Sequence, residues 1–132
     1  MDLFYYEVKV GMTKPLKKCL YTWSIGFSTS KIVYIHGIYY NTGSINKNNI
    51  LEKYGETFVQ DDVIGCGIDF KNNLAFFTKN GKFLGVAVKN FITDDLELYP
   101  NIGLFNYAKV ETNFGEESFI FNIQRYFYNK TH

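Results

Sequence analysis

The sequence predicts an all-β domain, and three observations carry that expectation. Aromatic residues make up 19% of the chain, with 13 Phe and 11 Tyr, and such side chains fit the pleated surface of sheets. Successive segments alternate apolar and polar positions with the period of a strand. Turn signals recur about every ten residues with no amphipathic helix of normal length between them, which is the habit of sandwiches and barrels.

The elements follow in order. Phe4 to Val10 sets Phe4, Tyr6, Val8 and Val10 on one side and Tyr5, Glu7 and Lys9 on the other, a half-buried strand. Leu20 to Ser28 repeats the pattern, with bulky Trp23, Ile25 and Phe27 opposite small Thr22, Ser24, Gly26 and Ser28. Ile32 to Tyr40 is extended and aromatic. Asn41 to Lys53, rich in Asn and Lys and without apolar period, reads as a long mobile loop. Val63 to Phe70 is expected to be a central strand, its Gly65 and Gly67 leaving one face bare as if another backbone approached closely.

Leu74 to Lys79 and Lys82 to Val88 flank Asn80-Gly81, the strongest short hairpin signal because both residues tolerate positive φ. Asp94-Asp95 marks a further turn. Leu98 to Phe105 and Lys109 to Asn113 read as strands joined by the loop Asn106 to Ala108, and Phe119 to Ile123 as the strand that closes the set. The tail, residues 124–132, either packs on the sandwich or leads into the next part of a longer protein. Trp23, Ile25, Phe27, Phe76, Ile102, Leu104 and Phe114 are assigned to the core.

At 132 residues the chain fits one domain, 1–132, with a full-sized core. A formal net charge of +1 supplies no global field to gather phosphates. The densest basic spot, Lys14, Lys17 and Lys18 beside Pro15, reads as a solvated turn. Cys19 and Cys66 are too few for a disulfide framework and have no metal-ligand spacing. With no positively charged region ahead of an apolar stretch, and no apolar run of about 18 residues, the expected location is the cytoplasm or nucleus, away from membranes.

Catalytic constellations are weak. His36 and His132 are the only histidines, and His36 has no suggested nucleophile partner. The best carboxylate pattern is Glu111-x-Asn113-x-x-Glu116, but residues five apart on an uninterrupted strand point to opposite faces. Gly65-x-Gly67 precedes no helix start, and Gly81-Lys82 lacks the upstream glycine of a phosphate loop. The expectation is therefore a non-enzyme with no cofactor, no metal and no nucleic-acid partner.

Recognition is left. Tyr39, Tyr40 and Asn41 form one aromatic loop with adaptable hydrogen bonding, and Phe105, Asn106 and Tyr107 a second. The plain alternative for each is a half-buried strand end.

The order of motifs matches a known pattern. Phe4-Tyr5-Tyr6-Glu7-Val8, Trp23-Ser24-Ile25-Gly26-Phe27-Ser28, His36-Gly37, Tyr54-Gly55 and Asp62-Val63-Ile64-Gly65-Cys66-Gly67 come first. Phe76-Phe77-Thr78-Lys79-Asn80-Gly81, Leu84-Gly85, Leu98-Tyr99-Pro100, Ile102-Gly103-Leu104 and Asn113-Phe114-Gly115 follow, then the F-x-F of Phe119-Ile120-Phe121. Together they resemble the SPRY domain, most closely those of the RanBPM family (Ran-binding protein in the microtubule-organizing centre).

The resemblance runs from Phe4 to Ile123 in unbroken order. It implies a β-sandwich of two antiparallel sheets, a concanavalin-like jelly roll with no substantial helix, excised from a longer protein. It also implies that the Tyr39–Asn41 and Phe105–Tyr107 loops grip a short peptide segment of a protein partner. By the same resemblance the isolated domain is monomeric and its parent a scaffold of a multi-subunit ubiquitin ligase. One departure stands out: Ile38-Tyr39-Tyr40-Asn41-Thr42-Gly43 puts aromatic surface where RanBPM-like domains are rich in Asp and Gly. A carbohydrate-binding sandwich and a purely structural domain are the alternatives.

Overall fold

A computed structural model describes residues 2–14, 21–29, 35–94 and 97–131. The expected basic turn at Pro15, Lys17 and Lys18, Cys19, Leu20, the start of the strand expected from Ile32, Asp95 and His132 lie outside the described residues, as does the His36 side chain.

Among the described residues ten strands form two antiparallel sheets. One contains β1 (Leu3–Met12), β6 (Val63–Asp69), β7 (Leu74–Lys79), β8 (Lys82–Lys89) and β10 (Ala108–Asn113), in the order β10-β1-β6-β7-β8. The other contains β2 (Trp23–Thr29), β3 (Ile35–Tyr40), β4 (Ser44–Lys47), β5 (Ile50–Lys53) and β9 (Leu98–Leu104), in the order β5-β4-β3-β2-β9. One helix, α1 (Ile123–Thr131), follows.

The alternation read from sequence places the sandwich core. Tyr6, Val8 and Val10 of β1 and Ile64, Cys66 and Ile68 of β6 meet Trp23, Ile25 and Phe27 of β2 between the sheets. The Tyr6 hydroxyl donates to the Gly26 carbonyl at 2.6 Å, tying one sheet to the other. Ile102 packs against this cluster, whereas Leu104 and Phe114 are 48% and 45% exposed. The core assignment of those two is corrected. Leu104 is the last residue of an edge strand, and Phe114 stacks on Tyr6 (centroids 5.2 Å apart) just past the end of another, so each has a neighbour on one side only.

The segment 41–53 is a hairpin rather than a long loop. Asn48 and Asn49 turn it with φ of 52° and 69°, the geometry of a two-residue primed turn, and Ile45 anchors it in the core. Four-residue strands with a single buried apolar residue leave almost no periodicity to read. The Asn80-Gly81 turn has the expected positive φ values, 51° and 86°.

Along β1, β6 and β7 both faces of the sheet are largely buried, which alternation does not reveal. Phe119 to Ile123 is not a strand. After Gly115, whose φ of 112° suits glycine, the chain crosses the outer face of the sheet and continues into α1, so the tail packs on the sandwich. Tyr5, Leu74, Phe76, Phe121 and Tyr126 form this second cluster. Two buried carboxylates hold it. Glu7 accepts hydrogen bonds from the backbone N–H of Ile120 (3.0 Å) and Phe121 (3.1 Å) and from the Tyr5 hydroxyl (2.8 Å). Asp69 accepts from the Tyr126 hydroxyl (2.7 Å) and from Asn72.

Gly65 and Gly67 face this layer, and what approaches them is side chain, not backbone. A Cβ on Gly67 would lie 2.3 Å from the Phe76 ring, and one on Gly65 would lie 2.0 Å from the Tyr5 hydroxyl. Phe76 stacks on Tyr126 (4.7 Å) and contacts Phe83 (5.1 Å), so its ring has no free direction to move. Gly67→Ala is expected to cost about 1–3 kcal/mol by overpacking, read as a lower urea midpoint. An unchanged midpoint would show that the ring can give way.

Candidate interaction site at one end of the sandwich

The two loops expected to bind are 64 residues apart, counted from Asn41 to Phe105, yet they meet across the start of β2. The Asn41 side-chain oxygen accepts hydrogen bonds from the backbone N–H of Thr22 (2.8 Å) and Trp23 (3.2 Å). On the other side the Phe105 N–H donates to the Thr22 carbonyl (3.0 Å). Register explains the meeting: Ser24 pairs with Tyr40 on one flank of β2 and with Gly103 on the other. An inner strand with two antiparallel neighbours brings their loops to the same end.

Thr13 completes the end. Its N–H (2.8 Å) and hydroxyl (3.2 Å) both donate to the Tyr107 carbonyl, and the Lys14 ammonium lies 5.4 Å from the centre of the Tyr107 ring. Asn106 adopts φ of 55°, which lets the short turn between β9 and β10 close and leaves Phe105 and Tyr107, 43% and 44% exposed, at its tip.

Of the six expected residues, five lie at this surface and Tyr39 does not. Tyr39 is fully buried between the sheets, against Phe58 (5.1 Å), Phe77 (5.2 Å) and Tyr54 (5.4 Å), and its hydroxyl donates to the Glu56 carbonyl. Burial, with Tyr54 beside it, pushes its ionisation far above the ordinary tyrosine value. Consecutive strand residues point to opposite faces, so a Tyr39-Tyr40 pair divides between core and surface. The sequence does not say which is which; pairing with Ile25 assigns Tyr39 to the core.

Tyr40 is half-buried and meets the ring of Tyr21 edge-on at 5.2 Å. Asn41 is partly buried and organises the site through its oxygen. The sequence pattern puts Tyr21 inside the strand expected from Leu20 to Ser28, in phase with Trp23, whereas the strand begins at Trp23 and leaves Tyr21 ahead of it and 40% exposed. Together Tyr21, Tyr40, Phe105 and Tyr107 make an aromatic arc on a hydrogen-bonded frame.

Glu56 lies behind the frame. The ammonium groups of Lys82 (2.6 Å) and Lys79 (3.5 Å) sit beside its carboxylate and hold it below the usual carboxylate range.

In the Glu111, Asn113, Glu116 pattern both glutamates line one groove, and the last two side chains are held in backbone hydrogen bonds. The Asn113 oxygen accepts from the N–H of Gly115 (2.9 Å) and Glu117 (3.2 Å), while Glu116 accepts from the Phe114 N–H (2.6 Å). These side chains build the turn after β10. Cys66 is buried, and burial pushes its thiol far above the ordinary cysteine value, which keeps it protonated. Among the described residues no three of His, Cys, Asp and Glu are placed to hold a metal ion, and no helix is long and apolar enough to cross a membrane.

Comparison with known proteins agrees with this architecture. A protein described as "Ran-binding proteins 9/10 homolog" from Drosophila melanogaster is 43% identical over 88 residues, 66% of this chain and 9% of its own length. Ran-binding protein 9 of Xenopus tropicalis is 33% identical over an alignment covering 94% of this chain and 23% of that protein. The chain thus spans less than a quarter of these relatives. A crystal structure of a human SPRY domain superposes with a TM-score of 0.65 at 21% identity, covering 87% of this chain and 78% of that one, and so shares the fold. The SPRY family model matches residues 3–117, which hold all ten described strands of the sandwich, and the chain therefore belongs to the SPRY domain family.

Proposed function

We propose that this domain is a non-catalytic protein-interaction module that grips a short peptide segment of a partner at the aromatic arc. The observation that carries the reading is the convergence of Tyr40, Phe105 and Tyr107 on the frame around Thr22, which leaves large rings exposed at one end of a rigid sandwich. Exposed aromatic groups of this size on ordered loops supply contact area at low entropic cost. The net charge of +1 favours a protein partner over nucleic acid. By analogy with the Ran-binding relatives, the parent is a scaffold that recruits proteins to a ubiquitin ligase in the cytoplasm or nucleus, and the isolated domain is a monomer.

A footprint below about 1,200 Å² implies micromolar or weaker affinity. The test is selection from a displayed library of short peptides against the purified domain, with the Tyr40→Ala, Tyr107→Ala double variant as control. A shared motif is expected that the variant binds at least about tenfold more weakly, a loss of about 1.4 kcal/mol, while the melting temperature stays within a few degrees. Enrichment on a glycan array in place of any peptide motif would move the reading to a carbohydrate-binding sandwich.

A further inference from the structure

A second groove lies on the other sheet, between the β7–β8 hairpin and α1. Its floor is aromatic: Phe83, Phe121 and Tyr126 line it, with Phe83 and Tyr126 stacked at 5.9 Å. The Tyr126 hydroxyl is anchored on Asp69 and its ring on Phe76, so the floor is rigid. One wall is a helical stripe, Asn122, Arg125, Tyr126 and Asn129, at the spacing i, i+3, i+4 and i+7.

Its polar members Asn122, Arg125 and Asn129 are exposed, while Tyr126 packs on the sheet, so the wall sets polar groups beside the aromatic floor. Its one full charge is Arg125, and the lining contains no carboxylate. Among the described residues no carboxylate lies within ion-pair distance of Arg125. The Asn122 oxygen is occupied by the Arg125 backbone N–H (3.0 Å), so what Asn122 offers a ligand is its amide N–H. The groove toward the β10 edge of the same outer face has the opposite charge, with Glu7, Glu111, Glu116 and Glu117 in its lining against Lys9.

We propose that this aromatic groove binds the free C-terminus of a polypeptide ending in an apolar residue. Its volume of about 510 Å³ takes one such side chain on the Phe83, Phe121 and Tyr126 floor. The terminal carboxylate, two bonds from that side chain's Cβ, then falls to the guanidinium fork and the flanking amide N–H groups, a geometry that favours paired hydrogen bonds. Gly81 and Phe83 lie within residues 3–117, which match the family model, and the helical wall lies beyond them, so the groove forms where the sandwich meets the layer that follows it.

The test is titration of the isotope-labelled full chain with N-acetyl-phenylalanine, followed by backbone amide shifts, against two controls: the corresponding amide, and N-acetyl-aspartyl-phenylalanine amide. Saturable shifts at Gly81, Phe83, Arg125 and Asn129 are expected with the terminal carboxylate, and at least tenfold weaker binding of both controls. Arg125→Gln should abolish that preference without moving the melting temperature, because its side chain is exposed. The Tyr40→Ala, Tyr107→Ala variant should bind the probe unchanged, which separates this site from the aromatic arc. Equal binding of the amide, retention of the preference in Arg125→Gln, or shifts confined to Phe105 and Tyr107 would each overturn the proposal. A preference for the internal aspartate would overturn its assignment to a chain end.

Discussion

Tyr39→Ala is expected to lower the unfolding free energy by about 3–5 kcal/mol, the range for deleting a large buried aromatic side chain. Three rings lose a face, those of Tyr54, Phe58 and Phe77, and the Glu56 carbonyl loses its donor. Because domains of this size are stable by only about 5–15 kcal/mol, the variant should be close to unfolded at physiological temperature. Tyr39→Phe keeps the ring and should cost only about 1 kcal/mol, the net worth of one hydrogen bond. The discriminating readout is urea denaturation of both beside Tyr40→Ala. If Tyr39→Ala kept its midpoint and lost peptide binding instead, the assignment of this ring to the core would be wrong.

Glu7→Gln is expected to be nearly as damaging despite its small change in shape. The carboxylate receives three donors: the N–H groups of Ile120 and Phe121 and the Tyr5 hydroxyl. A glutamine keeps one oxygen and turns an NH₂ toward the remaining donors, leaving at least one of them unsatisfied in a buried site. The expected loss is about 2–3 kcal/mol, from one or more orphaned polar groups. Its location matters as much as its size: amide exchange should speed up first at Phe121 and Tyr126, as residues 119–131 lift from the sheet, while Ile25 and Phe27 in the main core stay protected. Uniform acceleration across both layers would mean that the third layer is not a separable unit.

Much of the fold could be read from local patterns. Period-two alternation located β1, β2 and β6, because each turns a continuous apolar row to the core. Asn80-Gly81 located the hairpin because its backbone needs positive φ at both residues. The hairpin of β4 and β5 escaped because its strands are four residues long and its Asn48-Asn49 turn reads as polar loop. The path of Phe119 to Ile123 escaped for a different reason: it pairs with a carboxylate, not with a strand, and no local pattern encodes that.

The candidate site divides in the same way. Residue types placed Tyr40, Asn41, Phe105, Asn106 and Tyr107 in turns suited to contact, and the structure brings those turns to one end. By itself, then, the sequence determined an all-β chain with SPRY motifs in order and with aromatic turns, since propensity, alternation and turn chemistry act over a few neighbouring residues. Only the tertiary structure decided that Tyr39 faces inward, that Thr22 joins two loops distant in sequence, that Gly65 and Gly67 make room for rings, and that the tail becomes a third layer with a groove of its own. Each of those depends on which distant strand lies alongside, and strand register is set by the packing of the whole sandwich.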